Sequence, residues 1–291
     1  MGNIRKKDHS FLIPVLKELL QSGILPIIIG SDINLTLAQF QAYQTQKQAI
    51  LTIVDEKIRH SLKAKEENSI ISDLLRKRKP KLSNLGLIGF QSHFTSNQVL
   101  NDLESKNFEF ARLGKVRKEM EETEPIIRNA DLLSFNISAI KAAEAPDQEN
   151  PSPSGFTTEE ACQISRYAGL SDKLSSIGFY GYHQKEDSNG QTAQVLSQLL
   201  WYFIDGFNSR KNDYPVSSDG LIEYIVDFKA HDHQVRFWKS KKSGRWWMEI
   251  PEKLKRKKIK YHMVPCSYQD YQHACQENFP DRLMTAYRRF E

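Results

Sequence analysis

Asp55, Lys57 and Arg59 follow directly on the aliphatic run Ile50–Val54, which places one carboxylate and two fixed cations within five positions. If extended chain continues through them, alternate side chains share a face. The three then either neutralise one another as an internal ion pair or turn Lys57 and Arg59 toward a bound carboxylate or phosphate. His231-Asp232-His233 offers two imidazoles to a metal, but no third ligand stands beside it, and it reads as a solvated turn between two strands. His60, His93 and His183 each lack a carboxylate at a recognisable spacing. Cys162 would need an adjacent histidine or a helix N-terminus to become a nucleophile; the sequence supplies neither, and core packing is its expected role.

The net charge of +5 is unevenly distributed. Residues 239 to 260 hold ten Lys/Arg against Glu249 and Glu252, a local balance of +8, so the remainder carries −3. The run Lys253 to Lys260, with Trp238, Trp246 and Trp247 nearby, is the one feature suited to phosphates and bases. A charged hairpin loop is usually only solvated, however, and tryptophans in strands usually build a core. Nucleic acid is therefore not the expected partner. No apolar run approaches the roughly 20 residues of a membrane span, and the basic N-terminus, Arg5-Lys6-Lys7, leads into an amphipathic stretch, not a signal-peptide core. Three cysteines, Cys162, Cys266 and Cys275, with no CxxC pair fit a reducing cytoplasm better than a disulfide framework.

These residues must be positioned by the elements around them. Aliphatic runs at Ile24–Ile29, Ile50–Val54, Leu85–Phe90, Asp131–Ile137 and Ser175–Tyr180 read as strands. Helical patterns at Phe11–Gln21, Thr36–Gln44, Ser96–Glu104, Lys115–Asn129, Thr157–Tyr167 and Gln191–Phe207 alternate with them. Alternation of this kind predicts a parallel sheet covered on both faces, and ligands in such sheets sit outside the carboxyl ends of the strands. From about residue 209 the pattern changes to four short strands, Leu221–Phe228, Gln234–Lys239, Arg245–Glu249 and Lys260–Val264, with a hairpin tip at Ser243-Gly244. Helices over Tyr268–Gln276 and Asp281–Phe290 complete the chain. The expected division is 1–208 and 209–291.

Three strand ends carry a specific pattern: Ile27-Ile28-Ile29-Gly30-Ser31-Asp32-Ile33, Thr52-Ile53-Val54-Asp55-Glu56-Lys57-Ile58-Arg59, and Leu133-Ser134-Phe135-Asn136-Ile137-Ser138. The third leads into a Pro-rich loop, Pro146 to Phe156, and a helix containing Glu159-Glu160-Ala161. In order and approximate spacing these segments resemble the signatures of the ureohydrolase superfamily (arginase, agmatinase and formimidoylglutamase). Those signatures are a Gly-Gly-x-His turn, an Asp-Ala-His-x-Asp strand end and a Ser-Phe-Asp-x-Asp strand end. The later Gly178-Phe179-Tyr180 and the helix start at Asn189-Gly190-Gln191 agree as well. The likeness is greatest to formimidoylglutamase-type proteins with a C-terminal extension, and it covers about residues 11–207. It implies an arginase-like three-layer α/β/α fold with a mainly parallel sheet, followed by a small α+β extension. Relatives usually have further βα units before the first of these strands, so either a sheet short at one edge or a truncated sequence is expected.

The resemblance also implies a site: two manganese ions, bridged by hydroxide, attacking a guanidinium or formimino carbon. Mapped onto this chain, the ligand positions become Ile33, Asp55, Lys57, Arg59, Asn136 and Ser138, and only Asp55 keeps its ligand type. The acid that family enzymes place after the Gly-Phe-Tyr strand becomes Gly181. A working set carries four negative charges, whereas this one carries one carboxylate and two cations. A unit charge pair at 4 Å is worth about 4 kcal/mol at an effective dielectric near 20, so two fixed cations repel a divalent ion by more than Asp55 recovers. The expectation is therefore a protein with no metal cofactor and no ureohydrolase activity. Its role would be binding or scaffolding for a small anion or a protein partner, as a homo-oligomer or alone. The alternatives are an active hydrolase of linear amidine C–N bonds and an anion- or nucleic-acid-binding module.

Overall fold

The computed structural model describes residues 2–4, 9–43, 48–61, 69–76, 82–148, 150–185, 187–229, 233–253 and 259–290. Six strands form the central sheet: β1 (Ile27–Ile29), β2 (Ala49–Val54), β3 (Leu82–Ile88), β4 (Glu109–Ala111), β5 (Leu132–Asn136) and β6 (Ser176–Tyr180). Their order is β1-β6-β5-β2-β3-β4, and every neighbouring pair is parallel. From β2 the chain builds outward through β3 and β4. It then returns across the sheet to place β5 on the other side of β2, so the direction of winding reverses between β2 and β5. Crevices open at the carboxyl ends of strands at such a reversal.

Successive side chains of a buried strand serve opposite faces. In β2, Leu51 and Ile53 join one apolar cluster and Val54 the other; in β5, Leu132 joins the first, Leu133 and Phe135 the second. Helices α1 (Leu12–Gln21), α2 (Leu35–Ala42), α3 (Ile70–Leu75) and α4 (Asn97–Glu104) supply the first cluster. Helices α5 (Leu113–Lys118), α6 (Glu124–Asn129), α7 (Thr158–Leu170) and α8 (Gln191–Asn208) supply the second. The result is the expected three-layer α/β/α sandwich.

Local chemistry sets the boundaries. Ser96 caps α4 by accepting from Val99 N, and Thr157 with Glu160 forms a capping box at α7. The helix expected over Lys115–Asn129 is instead α5, a 3₁₀ turn at Met120–Thr123, and α6. Pro125 has no N–H to continue a helix from upstream but fits the first turn of a new one. Among the described residues, α3 and the edge strand β4 are short elements that the periodicity did not predict.

The four later strands are β7 (Leu221–Phe228), β8 (His233–Ser240), β9 (Trp246–Lys253) and β10 (Ile259–Cys266), an antiparallel meander with Gly244 at positive φ in the β8–β9 turn. Helices α9 (Tyr268–Cys275) and α10 (Asp281–Phe290) pack on it around Trp246, Phe237 and Met248. Ionic contacts tie this sheet to the first one. Arg128 of α6 donates to the carbonyls of Trp246 and Cys266, Arg245 meets Glu124 at 3.2 Å, and Arg289 meets Glu109 at 3.2 Å. Arg282 bridges Asp270 and Glu122. Among the described residues no helix is long and apolar enough to cross a membrane.

Helices α7 and α8 approach so closely that a Cβ on Gly206 would lie 2.4 Å from the Arg166 carbonyl, and one on Gly169 would lie 2.1 Å from that of Phe203. Alanine gains about 1 kcal/mol in helix propensity over glycine, but overpacking against backbone costs about 1–3 kcal/mol, occasionally more. Gly206→Ala is therefore expected to lower stability in urea denaturation. A midpoint equal to or above that of the parent would show that the helices can separate without penalty.

Candidate functional site

The crevice at the β2/β5 reversal gathers four of the six positions singled out by sequence. Asp55 follows the last residue of β2, Asn136 ends β5, and Ser138 lies one turn further, in the 3₁₀ segment Ile137–Ala139. Asp55 is 3% exposed and Arg59 7%. Arg59 Nε donates to Asp55 Oδ2 at 2.6 Å, while Asn136 Nδ2 and Ser138 Oγ donate to Asp55 Oδ1 at 3.1 and 3.3 Å. Asn136 is held in place because its Oδ1 accepts from Ser138 N. Both carboxylate oxygens are thus engaged by protein donors, and the charge is met by one guanidinium.

Lys57 stands apart from this contact. The strand stops at Val54, so the alternation expected through Arg59 does not continue; Arg59 reaches Asp55 around a turn, four residues on. Lys57 is 32% exposed at its side chain and lies 4.0 Å from Glu56. Asp55, Lys57 and Arg59 still line one cavity, but its volume is about 10 Å³, room for one water at most. Arg59 Nη2 is buried there without a hydrogen-bond partner. Ile33 is buried in the apolar cluster with Ile58, Phe90 and Tyr180, away from any polar role. Gly181 follows β6 at φ +80°, and a Cβ there would lie 2.4 Å from Asn136 Oδ1. An acidic side chain at 181 and the observed Asn136 cannot coexist without movement.

The other candidates separate. His60 does have a carboxylate: its Nε2 lies 2.8 Å from Asp102 Oδ2 on α4, and its Nδ1 lies 2.9 Å from Ser72 Oγ. Forty-two residues of sequence separate His60 from Asp102, so no local spacing reveals the pair. Lys106, and to a lesser degree His60, hold the Asp102 carboxyl below its ordinary range. Ser72 is buried and its Oγ also joins the backbone of Ser61, so this serine, histidine and aspartate clamp a loop to two helices. His93 lies against Phe94 with the rings tilted by 47°, His183 lines a cleft along β1, and His233 meets Tyr287 at 2.8 Å. His231 and Asp232 lie outside the described residues, as do Arg5-Lys6-Lys7 and 254–258 of the basic run. Among the described residues no three His, Cys, Asp or Glu converge as a metal-ligating group. Cys162 is buried on α7, where burial pushes its thiol up to about 11.

No family model matches the sequence, and no curated protein matches it. Solved structures do resemble it. Trypanosoma cruzi formiminoglutamase with manganese superposes with a TM-score of 0.64 at 15% identity, covering 72% of this chain and 74% of that one. Bacillus subtilis formimidoylglutamase gives 0.62 at 15%, covering 72% and 70%. Bacillus cereus arginase gives 0.56 at 14%, covering 67% and 75%. The fold is therefore arginase-like, the one that these structures share. A manganese pair needs several free, deprotonated oxygen ligands. At the strand ends singled out by the sequence resemblance the donors are one carboxylate already engaged by three protein groups, an amide and a hydroxyl, with a guanidinium beside them. These residues do not fit two divalent cations.

Removing one partner of a buried ion pair leaves the other charge uncompensated and costs about 3–5 kcal/mol. Arg59→Met is expected to destabilise by that order, and Asp55→Asn with Arg59→Met by less than Arg59→Met alone, both read from urea denaturation. Equal losses with either residue at 55 would remove the ion pair as the organising contact. The thiols give a separate check: Cys162 and Cys266 are buried, burial raises both, and Cys275 is exposed. One thiol per folded chain should react with a disulfide reagent at mildly alkaline pH, and all three after unfolding.

Proposed function

We propose that this chain is a non-catalytic ureohydrolase-fold protein that acts by binding, and that an internal Asp55–Arg59 pair stands where relatives of this fold hold metal. The observation that carries the reading is the state of Asp55: both of its oxygens accept from Arg59, Asn136 and Ser138. Amidine hydrolysis at neutral pH requires a strongly activated water, which two-metal sites provide by lowering its pKa. No side chain in this crevice substitutes for that. Arg59 is a permanent cation and cannot act as a base, and Asp55 is shielded from water by its three donors. The small cavity beside them has no room for a guanidinium or formimino substrate.

The competing reading, a working C–N hydrolase, rests on the fold shared with formiminoglutamase and arginase structures. It requires ligands other than those at these strand ends.

Elemental analysis of the full-length protein after incubation with excess manganese and desalting separates the two. The expected result is no retained manganese, and no release of urea, ammonia or formamide from arginine, agmatine or formiminoglutamate. About two manganese ions per chain, at the stoichiometry of two-metal sites, would overturn the proposal even before any activity was seen.

A further inference from the structure

A second cavity, of about 410 Å³, lies at the opposite end of the sheet from Asp55. Its floor and one wall are made by the amino ends of the central strands, where Gln48 precedes β2 and Ile50 lies near its start, Ser83 and Asn84 lie near the start of β3, and Asn129 and Lys173 precede β5 and β6. The other wall is β10, with Tyr214-Pro215 and the end of α10. The antiparallel sheet therefore turns what would be the open bottom of a parallel sheet into a pocket. Ligand cavities commonly measure about 300–1,000 Å³, so this one accommodates a small organic molecule.

Its lining is one-sided in charge. Arg128, Lys173, Lys260 and Arg289 contribute four permanent or near-permanent cations, and among the described residues no carboxylate lines it. Each cation has a carboxylate partner behind the wall: Glu124 for Arg128, Asp131 for Lys173, Glu109 for Arg289 and Glu252 for Lys260. Those partners lower the cost of burying the cations, and carbonyls take further donors, that of Asn129 from Lys173 and that of Asn107 from Arg289. Arg128 is the clearest instance. Its Nε donates to Glu124 and its Nη2 to two carbonyls of the second sheet, while the guanidinium lies 4.5 Å over the Trp247 ring. The remaining Nη1 is buried with no hydrogen-bond partner, an arrangement that costs stability unless something accepts from it. Burial also holds the Lys173 ammonium below its ordinary range, which a neighbouring anion reverses. Exposure grades from the buried floor to the rim, where the Lys260 side chain is 59% exposed and Tyr261 54%. The Phe290 ring, stacked 4.1 Å from that of His262, and Tyr214 supply apolar surface between them.

We propose that this cavity binds a phosphate-bearing small molecule, its anion held by Arg128, Lys173 and Arg289 and its organic part lying against Tyr214, Tyr261 and Phe290. The pocket is remote from Asp55 and stands whether or not that site is inert. Two sources share the required chemistry, a nucleotide and a sugar phosphate, and the aromatic wall separates them.

Titration calorimetry on the full-length chain tests this with adenosine 5′-monophosphate, ribose 5-phosphate, inorganic phosphate and adenosine. One saturable site for a phosphate-bearing ligand, weakening as salt rises, is expected, with adenosine silent at the same concentrations. Tighter binding of the nucleotide than of ribose 5-phosphate assigns the ring to the aromatic wall; equal binding assigns the pocket to sugar phosphates. Loss of one charge-assisted contact in Lys173→Met should weaken binding roughly tenfold or more. At the rim, Lys260→Glu should weaken it about threefold or more while leaving the fold intact. Absence of saturable binding by every phosphate up to about 1 mM, or affinities unchanged in both variants, would overturn the proposal.

Discussion

A carboxylate buried at the carboxyl end of a parallel strand must be neutralised, and much of the upper face of this sheet is arranged around that requirement. Asp55 emerges where the winding direction reverses, in the crevice between β2 and β5. Isolated there, its charge would cost several kcal/mol. Arg59 supplies the countercharge, Asn136 and Ser138 complete the coordination of its oxygens, and the first turn after β5 is capped by the same asparagine. The polar crevice thereby becomes a closed part of the interior, with the apolar side chains of Ile53, Ile58, Ile70 and Phe90 around it.

Guanidinium groups play a comparable structural part at the other end of the molecule. Arg128, Arg245, Arg282 and Arg289 cross from one sheet's layer to the other, each meeting at least one carboxylate or carbonyl. Planar, permanently charged forks suit this task better than ammonium groups, because several fixed acceptors can be met at once. The antiparallel sheet is thus fastened to α6 and to the amino ends of the strands, and its own aromatic core around Trp246 and Tyr271 forms a third apolar cluster.

The sequence was legible where local chemistry decides. Runs such as Ile27-Ile28-Ile29 and Leu132–Asn136 are long enough in β-branched or aliphatic residues to be strands, Thr157 and Glu160 mark a helix start, and the four later strands fall close to their expected positions. Three residues of edge strand at Glu109–Ala111 carry too little pattern to be seen, and Pro125 reshapes what periodicity alone joins into one helix. At the crevice, the meeting of Asp55 with Asn136 and Ser138 followed from segments in a recognisable order. The separation of Lys57 did not, because it depends on the strand ending at Val54. The His60–Asp102 contact and the cationic cavity were illegible for a common reason: their members come from distant segments that only the assembled layers bring together.

The close approach of Gly181 and Asn136 bears on how such a crevice can change over evolutionary time. With glycine at φ +80° and its missing Cβ only 2.4 Å from the asparagine oxygen, an acidic residue at 181 is unavailable until residue 136 has moved or changed. Aspartate at 136 would in turn set a second negative charge against Asp55, with Arg59 alone to offset both. Replacing Arg59 first strands Asp55. Each single step toward a carboxylate-rich crevice is therefore penalised before any metal can reward it, and the present arrangement behaves as a ratchet, easy to remain in and reached or left only through several coordinated substitutions.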